Sequence, residues 1–466
     1  MINITDQHNC CGCEACVQAC PKHCISFDED AEGFRYPKVD YSFCVECGAC
    51  EKVCPMLTPY ESCKPQQVLA AINPDEKIRE ESSSGGIFTM LAENVIREGG
   101  VVFGVRFDEQ WQAVFDYTET TEGLAAFRGS KYLQARVDNA FKEAKDYLKT
   151  GRKVLFSGTP CQIAALRHFL HRDYDNLLCV DFICHGTPSP KVWRMYLDEV
   201  TQNAVRAIRD VQFRNKKQGW KRFNFDITYD ADGQHYNISS WHRENHYMRI
   251  FLDDVILRPS CYACKAKGGR SHSDLTIADF WGIGQLNPQM DDDRGTSLVL
   301  LHSDKGVASF EACHLNPWQA QYDDILHLNP AVERSAKEHP KRNDFFACLD
   351  HAESVTRQID DTLRIPLYVR LRRIPKRYLK AVLRMLKSAV GGVKNSDITS
   401  SVSAVPDCQS SIGSVPDYNI QAPTVAVVIF RSKHQGWKSY MMKIQIAEKK
   451  RGTDARMSGD RSVTSC

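Results

Sequence analysis

The sequence predicts a mixed α/β protein, with a small α+β module first, an α/β core behind it and a disordered C-terminal tail. Three observations carry this prediction. One cysteine run is written twice within residues 1–60. Between residues 65 and 345, strand-turn-helix segments alternate with hairpin patterning. Beyond residue 391 the chain turns Ser-rich and loses its apolar period.

The repeated run reads Cys10-x2-Cys13-x2-Cys16-x3-Cys20-Pro21 and then Cys44-x2-Cys47-x2-Cys50-x3-Cys54-Pro55. This is the bacterial ferredoxin spacing, whose natural contents are two 4Fe-4S clusters. Three thiolates two residues apart wrap three corners of a cubane, and the fourth points to the partner cluster. One cluster is therefore expected on Cys10, Cys13, Cys16 and Cys54, the other on Cys44, Cys47, Cys50 and Cys20. Pro21 and Pro55 end the local turns, and Gly12 and Gly48 are expected to let backbone amides approach the sulfurs.

Zinc competes for such knuckles. It needs two Cys-x2-Cys pairs per ion, however, and leaves Cys16, Cys20, Cys50 and Cys54 without a role. A disulfide framework is disfavoured, since nothing at the N-terminus resembles a secretory signal. Cys11 and Cys24 fall outside the pattern and read as structural or incidental.

A chain of 466 residues with 42% hydrophobic content can bury a sizeable core and suggests two or three domains. The boundaries expected are 1–60, 65–152, 153–345, 346–390 and 391–466. Lys and Arg number 60 against 58 Asp and Glu, a balance of +2, so no field favours nucleic acid as a partner. Twenty cysteines point to a reducing compartment where thiols serve as metal ligands. With no apolar run approaching the roughly eighteen residues of a span, a cytoplasmic location is expected.

In residues 65–152, Val68 to Ile72 reads as a buried strand. Ser82-Ser83-Ser84-Gly85-Gly86 then opens a helix from Ile87 to Ile96. Such a turn either cradles a phosphate on free amides or is an ordinary N-cap. Val101 to Phe107 and Ala113 to Thr118 pair as a hairpin. Arg128 and Lys131, ahead of a helix from Asp138 to Lys149, either hold a phosphate or flavin ring or are solvated charges.

In residues 153–345, a strand from Lys153 turns at Gly158-Thr159-Pro160 into a helix from Ile163 to Leu170. That puts Cys161 at a helix start, where a thiolate is favoured, on the sheet edge where α/β proteins bind ligands. A second strand, Leu177 to Ile183, ends at Cys184-His185-Gly186, and Ser189-Pro190 caps the next helix. Asp232-Gly233 marks a hairpin between Asn224–Tyr229 and His235–Ile238. A helix is expected from Tyr247 to Leu257, then Cys261-x2-Cys264, a strand from Thr296 to His302 and a helix from Asp304 to Ala312.

From spacing alone, Cys161, Cys184, Cys261 and Cys264 either converge on a third metal, cluster or zinc, or are unrelated thiols; these readings stand level. Cys179 reads as a small core residue.

Taken in order, Ser84-Gly85-Gly86, Gly129-Ser130-Lys131-Tyr132, Gly158-Thr159-Pro160-Cys161-Gln162, Cys184-His185-Gly186 and Cys261-x2-Cys264 resemble the family of beta subunits of coenzyme F420 hydrogenases and dehydrogenases. The similarity spans residues 65–345, behind the two-cluster module that many members carry. The resemblance implies an FAD-binding α/β core with its own 4Fe-4S cluster, passing electrons between iron-sulfur centres and a deazaflavin through the flavin. By position it implies Cys161, Cys184, Cys261 and Cys264 as ligands, with Ser84, Gly85, Gly86 and Lys131 near the flavin. It also implies a redox partner protein, either a ferredoxin or a hydrogenase-like subunit, and a small-molecule substrate. Similar proteins beside bacterial surface-polysaccharide genes leave the hydride partner open.

The expected function is an iron-sulfur flavoprotein oxidoreductase. Its rivals are an electron-transfer subunit without its own substrate and a cluster-bearing scaffold without flavin. No catalytic residue is named, because His185 and Lys131 have only position in their favour as proton donors. Residues 364–389 alternate basic and apolar side chains, a pattern that suits an anionic membrane surface, an acidic partner or a solvated helix.

Overall fold

The computed structural model describes residues 1–364 and, beyond them, the backbone of Ile429–Arg431 and Tyr440–Met442. The chain divides into two units, Met1–Leu371 and Arg372–Cys466. In the second unit the two short segments pair as antiparallel strands, within the stretch expected to be disordered. The rest of that expectation, and the basic helix beyond Arg364, lie outside the described residues.

In the N-terminal module, β1 (Ile25–Glu29) and β2 (Arg35–Val39) form a hairpin with Ile25 opposite Val39. Each cysteine run contains one short helix, Ala15–Ala19 or Ala49–Lys52, entered through a left-handed residue, Glu14 at φ 60° or Gly48 at φ 73°. The two halves therefore repeat in backbone as in sequence.

The core is built on one eight-stranded sheet. Its strands are β3 (Gln67–Ala71), β4 (Val101–Phe107), β5 (Ala113–Thr118), β6 (Val154–Gly158) and β7 (Leu177–Phe182). A separate antiparallel sheet follows, made of β8 (Ile208–Asn215), β9 (Asn224–Ala231) and β10 (Gln234–Trp241). The chain then returns to the large sheet with β11 (Leu275–Asp279), β12 (Ser297–Leu301) and β13 (Trp318–Gln319). The order across the large sheet is β13-β3-β12-β11-β7-β6-β4-β5. Strands β4, β6, β7 and β11 run parallel in its middle, and the flanking pairs are antiparallel.

Period-two alternation sorts the side chains of the parallel strands. Val154 and Phe156 join Val101 and Phe103 under the helices Ala140–Lys149 and Pro160–Leu170. Leu155 and Val102 point the other way, onto Leu91 and Val95 of the helix Ile87–Arg97. The small sheet packs Phe213, Phe225 and Ile227 onto Trp193, Tyr196 and Tyr247. Its β9–β10 turn uses Asp232 at φ 50° and Gly233 at φ 72°, the primed geometry that Asp-Gly signals.

Two elements differ from expectation. The helix after β6 begins at Pro160, three residues early, because Thr159 and Gln162 close a capping box around it. The helix expected to reach Leu257 is His246–Leu252, since Asp254 enters the left-handed region at φ 59°. The chain then runs extended, and Leu257 bridges to Pro188.

Candidate functional site

The tight turns of the first run bring Cys10, Cys13 and Cys16 together, and the hairpin returns Cys54 to them. All four are buried. Burial, then Cys10 and Cys54, pushes the Cys16 thiol far up, and Cys54 is raised by burial and by Cys10. The other four, Cys20, Cys44, Cys47 and Cys50, line a shallow cleft with Met1 and Cys24. There Cys24 Sγ lies 3.4 Å from Cys20 Sγ. Cys47 is exposed, so this second set is the outer one.

A third set forms at the carboxyl edge of the large sheet. Because β6 and β7 are parallel neighbours, the turns that follow them open on one edge, one carrying Cys161 and the other Cys184. Cys261 arrives from the turn Pro259–Ala263, held by Arg258 N–H donating to Thr187 O at 2.9 Å and Thr187 N–H donating to Cys261 Sγ at 3.4 Å. Burial raises Cys184, with Cys261, Cys161 and Cys264 adding to it. Burial and then Cys161 push Cys264 up to about 11.

The helix start does not favour a Cys161 thiolate. The Cys11 thiol beside Cys161, then burial, raises it well above the usual range. Four crowded, buried thiols cannot all ionise unless a cationic centre compensates them, and a bound metal centre deprotonates its thiols outright. By that test the inner and third sets suit a thiolate-ligated cluster, while the outer set is open to solvent at Cys47. Among the described residues, no three His, Cys, Asp or Glu side chains close on a single metal ion.

Cys11, which sequence reasoning left aside, joins two of these sets. Its thiol interacts with Cys13 on one side and Cys161 on the other. The only signal for it was the doubling Cys10-Cys11. Gly12 is also explained differently from expectation. A Cβ there lies 2.2 Å from Gln134 Nε2 and 2.8 Å from Arg258 Nη1, so the missing side chain makes room for two core residues.

A large cleft opens between the Ser83 turn, the loop Gly129–Lys131 and β8. Seven Lys and Arg line it against three carboxylates, and Phe107, Trp111 and Phe213 supply aromatic walls. Ser83 joins its two loops, accepting from Ser130 N–H at 2.8 Å. Arg214, paired with Asp279 at 2.8 Å, donates to Ser83 O. Lys131 lines the cleft while its ammonium donates to Ala126 O, Arg128 O and Gly129 O, and burial lowers it to about 7.

Ser84, Gly85 and Gly86 sit behind Ser83, against the sheet. Ser84 Oγ donates to Thr296 O at 2.9 Å, and Gly85 N–H donates to Ser297 Oγ at 3.0 Å. A Cβ on Gly85 would lie 2.6 Å from Ser297 N. His185 stands apart from the cleft, 2.6 Å from Asp254.

Comparison with known proteins agrees with this layout. Residues 68–142 match the N-terminal domain and residues 151–317 the C-terminal domain of the coenzyme F420 hydrogenase/dehydrogenase beta subunit, and residues 9–57 match a 4Fe-4S dicluster domain. The chain belongs to the family of coenzyme F420 hydrogenase/dehydrogenase beta subunits. This family member is 24% identical over 230 residues to a subunit of the F(420)H(2) dehydrogenase of Methanosarcina mazei, covering 45% of the chain and 64% of that protein. An uncharacterised protein of Methanocaldococcus jannaschii is 28% identical over 206 residues, 37% of the chain and 56% of its own length. Ferredoxin 7Fe of Hydrogenibacillus schlegelii is 44% identical over 46 residues, 10% of the chain and 53% of the ferredoxin. The family member thus spans under two thirds of the length of each of these relatives. Among solved structures, one chain of the F420-reducing [NiFe] hydrogenase complex of Methanosarcina barkeri is 16% identical with a TM-score of 0.41, over 58% of this chain and 89% of that one. No described helix is long and apolar enough to cross a membrane.

Proposed function

We propose that this chain is an iron-sulfur flavoprotein oxidoreductase. In this reading Cys10, Cys13, Cys16 and Cys54 hold an inner 4Fe-4S cluster, Cys20, Cys44, Cys47 and Cys50 an outer one, and Cys161, Cys184, Cys261 and Cys264 a third. Residues 1–60 carry the first two, and residues 65–152 and 153–345 together form the core that holds the third and an FAD. The observation that carries the reading is the contact of Cys11 with both Cys13 and Cys161, which sets the inner and third thiol sets side by side.

The basic, aromatic-walled cleft is the FAD site in this proposal. Its cations suit the pyrophosphate and Phe107, Trp111 and Phe213 suit a planar ring. When bound, a flavin supplies the exchange between single electrons and a two-electron hydride. The chain's own part is to hold these groups within reach and to keep the inner thiols dry.

A second reading, an electron-transfer subunit serving a partner enzyme, is favoured by one surface. Tyr41, Phe43 and Val45 stand 62%, 67% and 57% exposed beside the exposed Cys47, an apolar collar suited to a redox partner protein. Anaerobic quantification of iron, sulfide and flavin tests the first reading, which expects about twelve irons and one FAD per chain. Iron without releasable flavin removes it. Reduction of a small molecule by the isolated chain separates the two readings.

A further inference from the structure

Arg258 is buried to 0% exposure at the seam between module and core. Its Nε donates to Cys10 O at 2.7 Å, Nη1 to Gln134 Oε1 at 2.9 Å, and Nη2 to Arg35 O at 3.0 Å and to Cys10 Sγ at 3.4 Å. Tyr36 and Phe34 cover it, with ring centroids 4.2 and 5.4 Å from the guanidinium carbon. Gly12 leaves the space in which it lies.

Its surroundings set it apart from the other buried arginines. Arg79, Arg214 and Arg342 each pair with a carboxylate, Asp292, Asp279 and Glu32 respectively. Among the described residues no carboxylate lies within ion-pair distance of Arg258, whose hydrogen bonds end on carbonyls, an amide and a thiol. A buried guanidinium without a counter-charge is strongly disfavoured. The negative charge available to it is that of sulfur. Cys10 is in contact, and Cys11, Cys161 and Cys261 lie within electrostatic reach.

We propose that Arg258 is a potential-setting residue: its fixed positive charge and its N–H donation to Cys10 sulfur stabilise the reduced form of the inner cluster relative to the outer one. Reduction adds one negative charge to the cluster, and a cation held in a low dielectric favours that added charge. Hydrogen bonds to sulfur act in the same direction. The outer run has no equivalent among the described residues. The exposed Glu46 stands there at the place of Gly12, and the thiol at the place of Cys10, that of Cys44, donates to Met1 Sδ at 3.2 Å. The inner cluster is thereby made the electron-accepting member of the pair, next to the core.

The inference rests on the reading that Cys10 ligates the inner cluster. Anaerobic redox titration of the full chain, followed by electron paramagnetic resonance of the reduced clusters, tests it in wild type, Arg258→Gln, Arg258→Lys and Arg342→Lys. In Arg258→Gln one cluster becomes at least tenfold harder to reduce, about 59 mV for a one-electron couple, while the outer cluster shifts far less. Arg258→Lys keeps the charge and recovers at least half of that shift. Arg342→Lys, which alters the same seam through Glu32, shifts neither. Unchanged potentials with full iron content, or equal shifts of every cluster, overturn the proposal.

Should Arg258→Gln fail to load iron, wild-type protein containing ¹⁵N-guanidino arginine decides. Hyperfine coupling of that nitrogen to one reduced cluster supports the proposal, and its absence from every cluster overturns it. A module that binds no four-iron cluster removes the underlying reading instead, and iron analysis tells the two failures apart.

Discussion

The Cys11 thiol lies against the Cys161 thiol, where the N-terminal module meets the carboxyl edge of the large sheet. This joins the neighbour of Cys10 to a residue of the third thiol set. In the proposed assignment Cys11 bridges the two sets without ligating a metal, which makes it expendable for assembly. Cys11→Ala should retain the iron content of wild type, whereas Cys161→Ser should lose about four irons per chain. Anaerobic iron analysis checks both, and loss of iron in Cys11→Ala would make Cys11 a ligand.

Gly12 and Gly48 both lie in the cysteine runs, at different places of the repeat, and are needed for different reasons. Both have positive φ, which costs an L-residue roughly 1–2 kcal/mol. Only Gly12 also lies under Gln134 and Arg258. Gly48→Ala should therefore lower stability by about that amount with clusters intact. Gly12→Ala should unseat the module as well, read as faster proteolysis near residues 57–66 and lower iron occupancy.

The rim of the basic cleft offers a test of the flavin site that leaves the clusters alone. Lys77 and Lys217 are exposed and line it. If they face a pyrophosphate, the pair Lys77→Glu and Lys217→Glu should weaken FAD at least tenfold, about 1.4 kcal/mol. The loss should be smaller at high salt, since both charges are screened. Flavin fluorescence after gel filtration measures it, and unchanged iron content confirms that the effect is local.

What was legible in the sequence was local. The cysteine spacing, the Asp232-Gly233 turn and the Ser189-Pro190 cap each write their structure within a few residues, and β9, β10 and the helix from Pro190 follow. Helix ends were less legible, because the capping box at Thr159 and the left-handed Asp254 depend on details that periodicity does not carry. The seam was not legible. Cys10 and Arg258 are 248 positions apart, and nothing near Arg258 announces a partner. For the same reason the sequence pointed to Ser84, while the residue that joins the loops of the cleft is its neighbour Ser83.

Behind β7, two buried groups oppose one another in their pH dependence. Thr276 Oγ1 donates to Asp181 at 2.5 Å and lies 2.9 Å from His302 Nε2, so it accepts from a neutral His302 protonated on that nitrogen. Burial raises Asp181 from 3.8 to about 6, against the pull of Ser271 and Thr276. Burial lowers His302 from 6.5 to about 4. The raised acid binds more protons folded than unfolded between pH 4 and 6, so its contribution falls as pH rises through that window. The depressed histidine binds fewer, so its contribution falls as pH drops from 6.5 to 4. Each is worth about 3 kcal/mol, and in the intact protein the two slopes largely cancel. His302→Gln should leave stability declining from pH 4 to 6, and Asp181→Asn should leave it rising over the same range. Denaturation curves measured without oxygen at several pH values give both slopes, and equal slopes in the two variants would mean that neither group titrates as placed.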